Sequence, residues 1–453
     1  MLIMQNALPG INKFLQPVAM NSKARELVIS CIIAFLMHLG KMSATQAAGA
    51  VRSQGRHRAQ ICRFLGRKYW KRLNLLKPLQ HDLLEFETNK KGLYLFIVDQ
   101  TICSVQAESA ENSYHPRNTQ KRTRKSNRKQ KKSPKRSCHC FVMGLLITPS
   151  GIRIPFYKPF YTKTYCTEKN RPHRTQAEIA AEMIVELDLP ETARVIVLGD
   201  TAFDAKVIRE ACSKRSFTWI VPINPERVLA GPKPRPKVCS LVEKICIQKL
   251  ACIKVQAGVG KYVHYRRVSK CRIGPKIKPR MYYVHEESQD VHSVGMVRLL
   301  FSTIKDPKQG NDLKGCKILM TNDESLSMSE VIEVYGLRWQ IELFFKEIKS
   351  SLGFSQYRFR SFEKIESWAS LCLAAFSYLE WTRVEKLRHR KKNKENRIWW
   401  QNQRTHGMAM AVRQKAEERE IDLISRALDS KTGIKRIKKL VSKAYPKEYQ
   451  ARP

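Results

Sequence analysis

The order of apolar segments between residues 93 and 221 limits what this chain can fold into more than any other feature. Leu93 to Val98 is an unbroken apolar run closed by Asp99, which reads as a strand. Cys140 to Ile147 and Ile152 to Tyr157 flank Pro149-Ser150-Gly151 and predict a hairpin. Thr175 and Glu178 form a capping box opening a helix that runs to about Leu187. A strand from Arg194 to Leu198 follows and ends at Gly199-Asp200; a helix from about Ala205 to Lys214 and a strand from Phe217 to Val221 come next. Three strands, helix, strand, helix, strand predicts an α/β fold, a mixed sheet flanked by helices.

The flanking regions read differently. Residues 1–88 predict a helical domain, with helices from Arg25 to Leu39, Ser43 to Val51 and Arg56 to Arg67. The third carries Arg56, Arg58 and Arg63 and packs through Ile61, Phe64 and Leu65. With the turn Ser53-Gln54-Gly55 before it, this is the outline of a DNA-binding helix-turn-helix. In residues 222–324 the helical pattern disappears, which predicts a β-rich insertion. Its short runs are Ala251 to Val255, Lys261 to Val268, Arg280 to His285, Val297 to Thr303 and Cys316 to Met320. Pro232, Pro234 and Pro236 mark its entry as a stiff linker. Residues 89–221 and 325–388 are then the two parts of one core, the second including an amphipathic helix from Phe362 to Arg383. Residues 389–453 form a basic helical C-terminal region.

Charge names the class of partner. Lys and Arg number 84 against 40 Asp and Glu, a net charge of +44 that draws the chain to polyanions. Nucleic acid fits better than an anionic membrane, because no amphipathic basic helix dominates and the longest apolar run, Leu27 to Leu39, is too short to span a bilayer. Met1 to Gly10 lacks a signal-peptide pattern, and thirteen scattered Cys without Cys-x-x-Cys pairs predict reduced thiols in the cytoplasm. Cys138-His139-Cys140 reads as a half-buried strand rather than a metal fragment, with ligands two apart directed to opposite faces. Lys121 to Arg136 holds ten basic residues and no acid, the composition of a segment disordered when free, either a DNA clamp or a solvated tract.

Ser327 and Glu330 make a second capping box, opening a helix. At 100° per residue, Tyr335, Arg338, Glu342, Lys346 and Lys349 share one stripe of it. Val334, Leu337, Ile341, Phe344, Phe345, Ile348 and Leu352 fill the adjoining arc, which must be buried. A carboxylate framed by cations suits a phosphate-handling surface, since acid alone repels a polyanion and cations alone bind it without chemistry. Asp99 and Asp200 each follow an apolar strand, and carboxylates at strand ends collect at one sheet edge. With Glu342 they make an oxygen-rich site for two hard cations, Mg²⁺ or Mn²⁺, able to activate a water or 3′-hydroxyl in phosphodiester displacement. Each acid also has a plainer reading as a turn former or a solvated helix residue. Asp204 competes with Asp200, and Glu333 and Glu347 with Glu342, although both glutamates lie across the wheel from Tyr335.

Tyr335, two residues, Arg338, three residues, Glu342, six residues, Lys349 resembles the signature helix of DDE transposases of the insertion-sequence-four type. Asp99-Gln100-Thr101 and Asp200-Thr201-Ala202-Phe203 extend the likeness over roughly residues 90 to 380, although Ala202 stands where members often have Gly. The resemblance implies an RNase H-like core interrupted by a β-rich insertion. It implies Asp99, Asp200 and Glu342 as the metal-binding triad, with Tyr335, Arg338 and Lys349 on the phosphates beside the cut and Lys346 sharing the last role. The helical N-terminus would recognise terminal inverted repeats. Double-stranded DNA at the element ends and target, a homodimer joining two ends and a nucleoid-associated life follow from the same likeness. Relatives that cut through a DNA hairpin stack a flipped base on a Trp of the insertion. Pro222 to Asn322 has no Trp, leaving Tyr262, Tyr265, Tyr282 or Tyr283 for that role. The alternative is a transposase-derived DNA-binding protein that no longer cuts, which the presence of all three acids disfavours. A ribosomal-type RNA-binding protein is disfavoured by size and by the helix stripe.

Overall fold

A computed structural model describes residues 10–37, 47, 58–66, 73–105, 110–115, 137–255, 280–307, 313, 315–389, 414 and 435. Arg56, Arg67, the expected helix over 43–51 apart from Ala47, the Lys121–Arg136 tract, Tyr262, Tyr265 and nearly all of residues 390–453 lie outside the described residues.

The strands are β1 Leu93–Ser104, β2 Cys138–Ile147, β3 Arg153–Pro159, β4 Arg194–Leu198, β5 Thr218–Pro222, β6 Ala251–Val255, β7 Arg280–Val291, β8 Gly295–Thr303 and β9 Lys317–Thr321. Among the described residues they form one nine-stranded sheet in the order β3-β2-β1-β4-β5-β9-β8-β7-β6. β1 runs antiparallel to β2 and parallel to β4, and β4 is parallel to β5. This large mixed sheet with helices is consistent with the RNase H-like expectation. The strands expected in residues 222–324 are present where described, and they extend the core sheet: β9 adds antiparallel to β5, and β8, β7 and β6 follow.

β2 is buried along its whole length, so helices must cover both faces of the sheet. On one face His139 meets Tyr357 at 2.9 Å, beside Phe362 at the start of the helix Phe362–His389. On the other, Cys140 reaches Gln176, which opens the helix Gln176–Val185. The Cys138-His139-Cys140 expectation needs correction: residues two apart in a strand share a face, and the run is fully buried rather than half-buried. Both His139 nitrogens are engaged, one with Tyr357 and the other with the Glu111 carbonyl, so the residue is a satisfied core histidine.

Both capping boxes form, Thr175 with Glu178 and Ser327 with Glu330. The long helix Phe362–His389 is the hub on which the N-terminal helices pack. Phe14 meets Tyr378 edge-on at 5.4 Å, Phe35 lies 4.7 Å from Trp368, and Ser367 donates to the Leu65 carbonyl at 2.9 Å.

Two expectations for the insertion are corrected. Its proline-rich entry is a chain reversal, because Val228 bridges Lys237 and Leu229 N donates to the Pro236 carbonyl at 2.9 Å. Gly231, at φ +128°, takes a conformation open to glycine at that reversal. The segment also contains a short helix, Val238–Val242, and a 3₁₀ turn, Ile247–Lys249, each too short for periodicity to reveal.

Candidate active site

The C-terminal ends of the parallel strands β1, β4 and β5 make one edge of the sheet, where an α/β fold gathers functional groups. Ile97 of β1 pairs with Leu198, the last residue of β4; two steps further along each chain come Asp99 and Asp200. Asp99 does not end its strand as expected. β1 continues to Ser104 against β2, while its parallel neighbour stops, so Asp99 is a buried carboxylate facing a gap left by a shorter strand. Asp200 caps a single 3₁₀ turn, Thr201–Phe203, accepting from the Ala202 N–H at 2.9 Å. Buried Phe203 anchors that turn, leaving Asp200 half-exposed.

Asp204 does not compete with Asp200. It is enclosed by Arg209 at 2.5 Å and Arg227 at 2.8 Å, an ion-paired brace beneath the turn. Glu347 is likewise committed, to Arg153 at 2.8 Å in the interior.

Glu342 arrives on a helix that differs from the expected continuous one. Met328–Gly336 and Trp339–Ser351 are separate helices joined through Leu337 and Arg338. The junction tightens into i→i+3 bonds, from Arg338 N to the Tyr335 carbonyl at 3.0 Å and from Ile341 N to the Arg338 carbonyl at 3.2 Å. That tightening rotates Tyr335 out of the polar stripe. Tyr335 is buried, and its hydroxyl donates to the Gly199 carbonyl at 3.4 Å, a strut between this helix and the end of β4. Arg338, Glu342, Lys346 and Lys349 keep the expected face.

Arg338 is the central group. One of its guanidinium nitrogens lies 3.2 Å from Asp99 Oδ2 and 3.5 Å from Glu342 Oε1, linking strand to helix. Lys349 donates to the Ile102 carbonyl at 3.1 Å, further along β1, and Lys346 is exposed one turn before it. Arg58 and Arg63 are exposed on the helix Arg58–Leu65.

Burial, then the neighbouring Asp200 carboxylate, push the Asp99 pKa up to about 6; Glu342 adds to this, while the Gln100 N–H and Arg338 oppose it. Both other acids thus act on Asp99. A raised carboxylate pKa means the fold favours the protonated form. Its contribution to stability is complete below the unfolded value of 3.8 and is lost as pH rises through about 6. Asp99→Asn is therefore expected to stabilise the cation-free chain at neutral pH by roughly 2 kcal/mol, an advantage that shrinks toward pH 4. Urea unfolding of both chains in chelator across that range checks this; a pH-independent difference contradicts it.

The donor set is chemically suited to hard cations, being all carboxylate oxygen with no thiol or imidazole. Among the described residues no three acidic, histidine or cysteine side chains stand close enough to hold an ion. Between Asp99 and Glu342 that place is taken by the Arg338 guanidinium, itself a cation serving the same charges.

Two residues at this edge escaped the sequence reading. Trp339, beside Arg338, is 59% exposed, unusual for so large an apolar side chain. Lys317 opens β9, and its ammonium sits 4.3 Å above the Tyr335 ring. The strand was recognisable, and its antiparallel addition to β5 carries its first residue to the edge where β5 ends.

The sequence model described as transposase DDE domain matches residues 90–378. No curated protein matches the chain.

Proposed function

The chain belongs to the transposase DDE domain family, and from that premise we propose that Asp99, Asp200 and Glu342 are its catalytic and metal-binding acids. The chain cuts double-stranded DNA at the ends of an insertion sequence of the insertion-sequence-four type and joins the freed 3′-hydroxyl to target DNA. The observation carrying this reading is that Arg338 bridges Asp99 of β1 and Glu342 of a separate helix, while Asp200, on the turn after the neighbouring strand β4, acts electrostatically on Asp99.

DDE transposases generally depend on divalent metal; Asp99, Asp200 and Glu342 would hold two Mg²⁺ or Mn²⁺ ions, which would activate the attacking oxygen and stabilise the leaving oxygen. The chain's own residues prepare that chemistry. Arg338, released from its carboxylates, neutralises the phosphate beside the cut. Lys346 and Lys349 hold the backbone on the β1 side, Tyr335 fixes the β4 end through Gly199, and the Asp204 brace holds the turn that presents Asp200. Trp339 offers an exposed ring on which a base can stack. Arg56, Arg58 and Arg63 recognise the terminal repeats, and a homodimer brings two ends together.

The test uses purified chain and a linear duplex carrying the DNA that flanks its reading frame. With Mg²⁺, nicks are expected at the boundary of an inverted repeat and should vanish in chelator. Cutting that is equal in chelator, or scattered without regard to the repeat, rejects the proposal.

A further inference from the structure

The sheet edge carries a cation that neither the signature spacing nor the triad uses. Lys317 is the first residue of β9, which runs antiparallel to β5, so it stands at the end of the sheet from which Asp200 emerges. Lys349, by contrast, reaches the same edge over β1 at Ile102. β4 and β5 lie between β1 and β9. Arg338 falls between the two lysines: it contacts Asp99 on β1, and its charge also acts on Lys317.

Lys317 is held in an unusual way. Its ammonium rests on the face of Tyr335 at 4.3 Å, while the Tyr335 hydroxyl is tied to Gly199, so the ring is a fixed platform beneath the charge. Lys317 as a whole is exposed although its ammonium is covered on one side by the Tyr335 ring, and it is not paired with a carboxylate among the described residues. Burial of the ammonium, then the like charge of Arg338, pull its pKa below the ordinary lysine value. Arg338 already has Asp99 and Glu342 as partners, so Lys317 is the cation here that an anion bound across the edge would relieve.

We propose that Lys317 contacts a DNA backbone phosphate on the β9 side of the scissile bond, so that the bound strand crosses the sheet edge from Lys349 to Lys317 with Arg338 between them. This rests on the transposase reading for its ligand. It gives Tyr335 a supporting role under Lys317, in place of a direct phosphate contact. It also sets the direction of the track: the β5–β9 junction, where the inserted segment joins the core sheet, lies beside the strand being cut.

The experiment measures binding of the full chain to a duplex carrying the flanking repeat, against salt, for wild type, Lys317→Met and Lys317→Arg. Lys317→Met keeps the stem over Tyr335 and removes the charge. Its log–log salt slope is expected to fall by about 0.9, with affinity about fivefold weaker at moderate salt, while Lys317→Arg stays near wild type. A duplex series with one phosphate at a time made a neutral methylphosphonate then locates the contact. One position should weaken wild type yet be silent in Lys317→Met, and it should differ from the position silenced by Lys349→Met. An unchanged slope in Lys317→Met, with its thermal unfolding also unchanged, overturns the proposal, as does a shared silent position for the two lysines. If the slope falls but the DNA is never cut, the phosphate contact stands and the catalytic reading fails instead.

Discussion

Asp99→Asn should lower strand cleavage by roughly 10³-fold, the loss of several kcal/mol of transition-state stabilisation, while leaving affinity for the element ends within about a factor of three. The reasoning is geometric. Asp99 is buried in the interior of β1, held by the Gln100 N–H at 2.7 Å and by Arg338 at 3.2 Å. An amide of the same shape can keep the first of these, so the strand and its neighbours need not move. What it cannot keep is a negative charge for a dication. The expected separation between binding and cutting is therefore sharp. Gel shift and end-cleavage rates on the same preparations measure it, and cleavage by Asp99→Asn within tenfold of wild type would remove Asp99 from the chemistry. Mn²⁺ in place of Mg²⁺ should recover little, because a carboxamide is a poor ligand for either ion.

The largest effect on stability is expected from Arg153→Met. Arg153 stands on β3 with its guanidinium 2.8 Å from Glu347 and 2.5 Å from Glu380, and Arg383 lies 2.7 Å from Glu380. Arg383 also donates to the Gly151 carbonyl at 3.0 Å, inside the β2–β3 turn. All four side chains are buried, so the network ties a hairpin, the Glu342 helix and the long helix Phe362–His389 together where water cannot substitute. Removing one member leaves buried carboxylates under-compensated, at a cost of about 3–5 kcal/mol. The urea midpoint, with an unchanged denaturant slope, reads this directly. A loss below about 1 kcal/mol would show that the network is wet. The Glu380 pKa is held low chiefly by Arg153 and then Arg383, against the opposing push of burial. Its contribution is accordingly present above its ordinary value of 4.5 and lost as pH falls through the depressed one.

Much of this was legible in the sequence, for reasons that differ by element. The core strands were readable because a sheet covered on both faces demands unbroken apolar runs, as in Leu93 to Val98 and Val195 to Leu198. Capping boxes were readable because their chemistry is local. What failed was non-local. Nothing within Asp99-Gln100-Thr101 says that β2 is long enough to carry β1 on to Ser104 while β4 stops at Leu198. A regular helical wheel put Tyr335 on the polar stripe, but the tightened turn at Leu337–Arg338 breaks that wheel, and Tyr335 instead bonds to Gly199, a residue 136 positions away. Pro232, Pro234 and Pro236 suggested stiffness, whereas the Val228–Lys237 bridge set the chain's direction. At the site, the acids were visible as a type and a spacing. Lys317 became visible only when strand order put β9 beside β5.

The central claim is that Asp99, Asp200 and Glu342 surround one cation-binding locus once Arg338 yields it. Anomalous diffraction from Mn²⁺-loaded crystals of the full chain with repeat DNA addresses it most directly. The account predicts metal density bounded by carboxylate oxygens of all three residues, with Arg338 turned to the adjoining phosphate. Metal bound elsewhere, or bound with Asp200 or Glu342 beyond ligating distance, contradicts it.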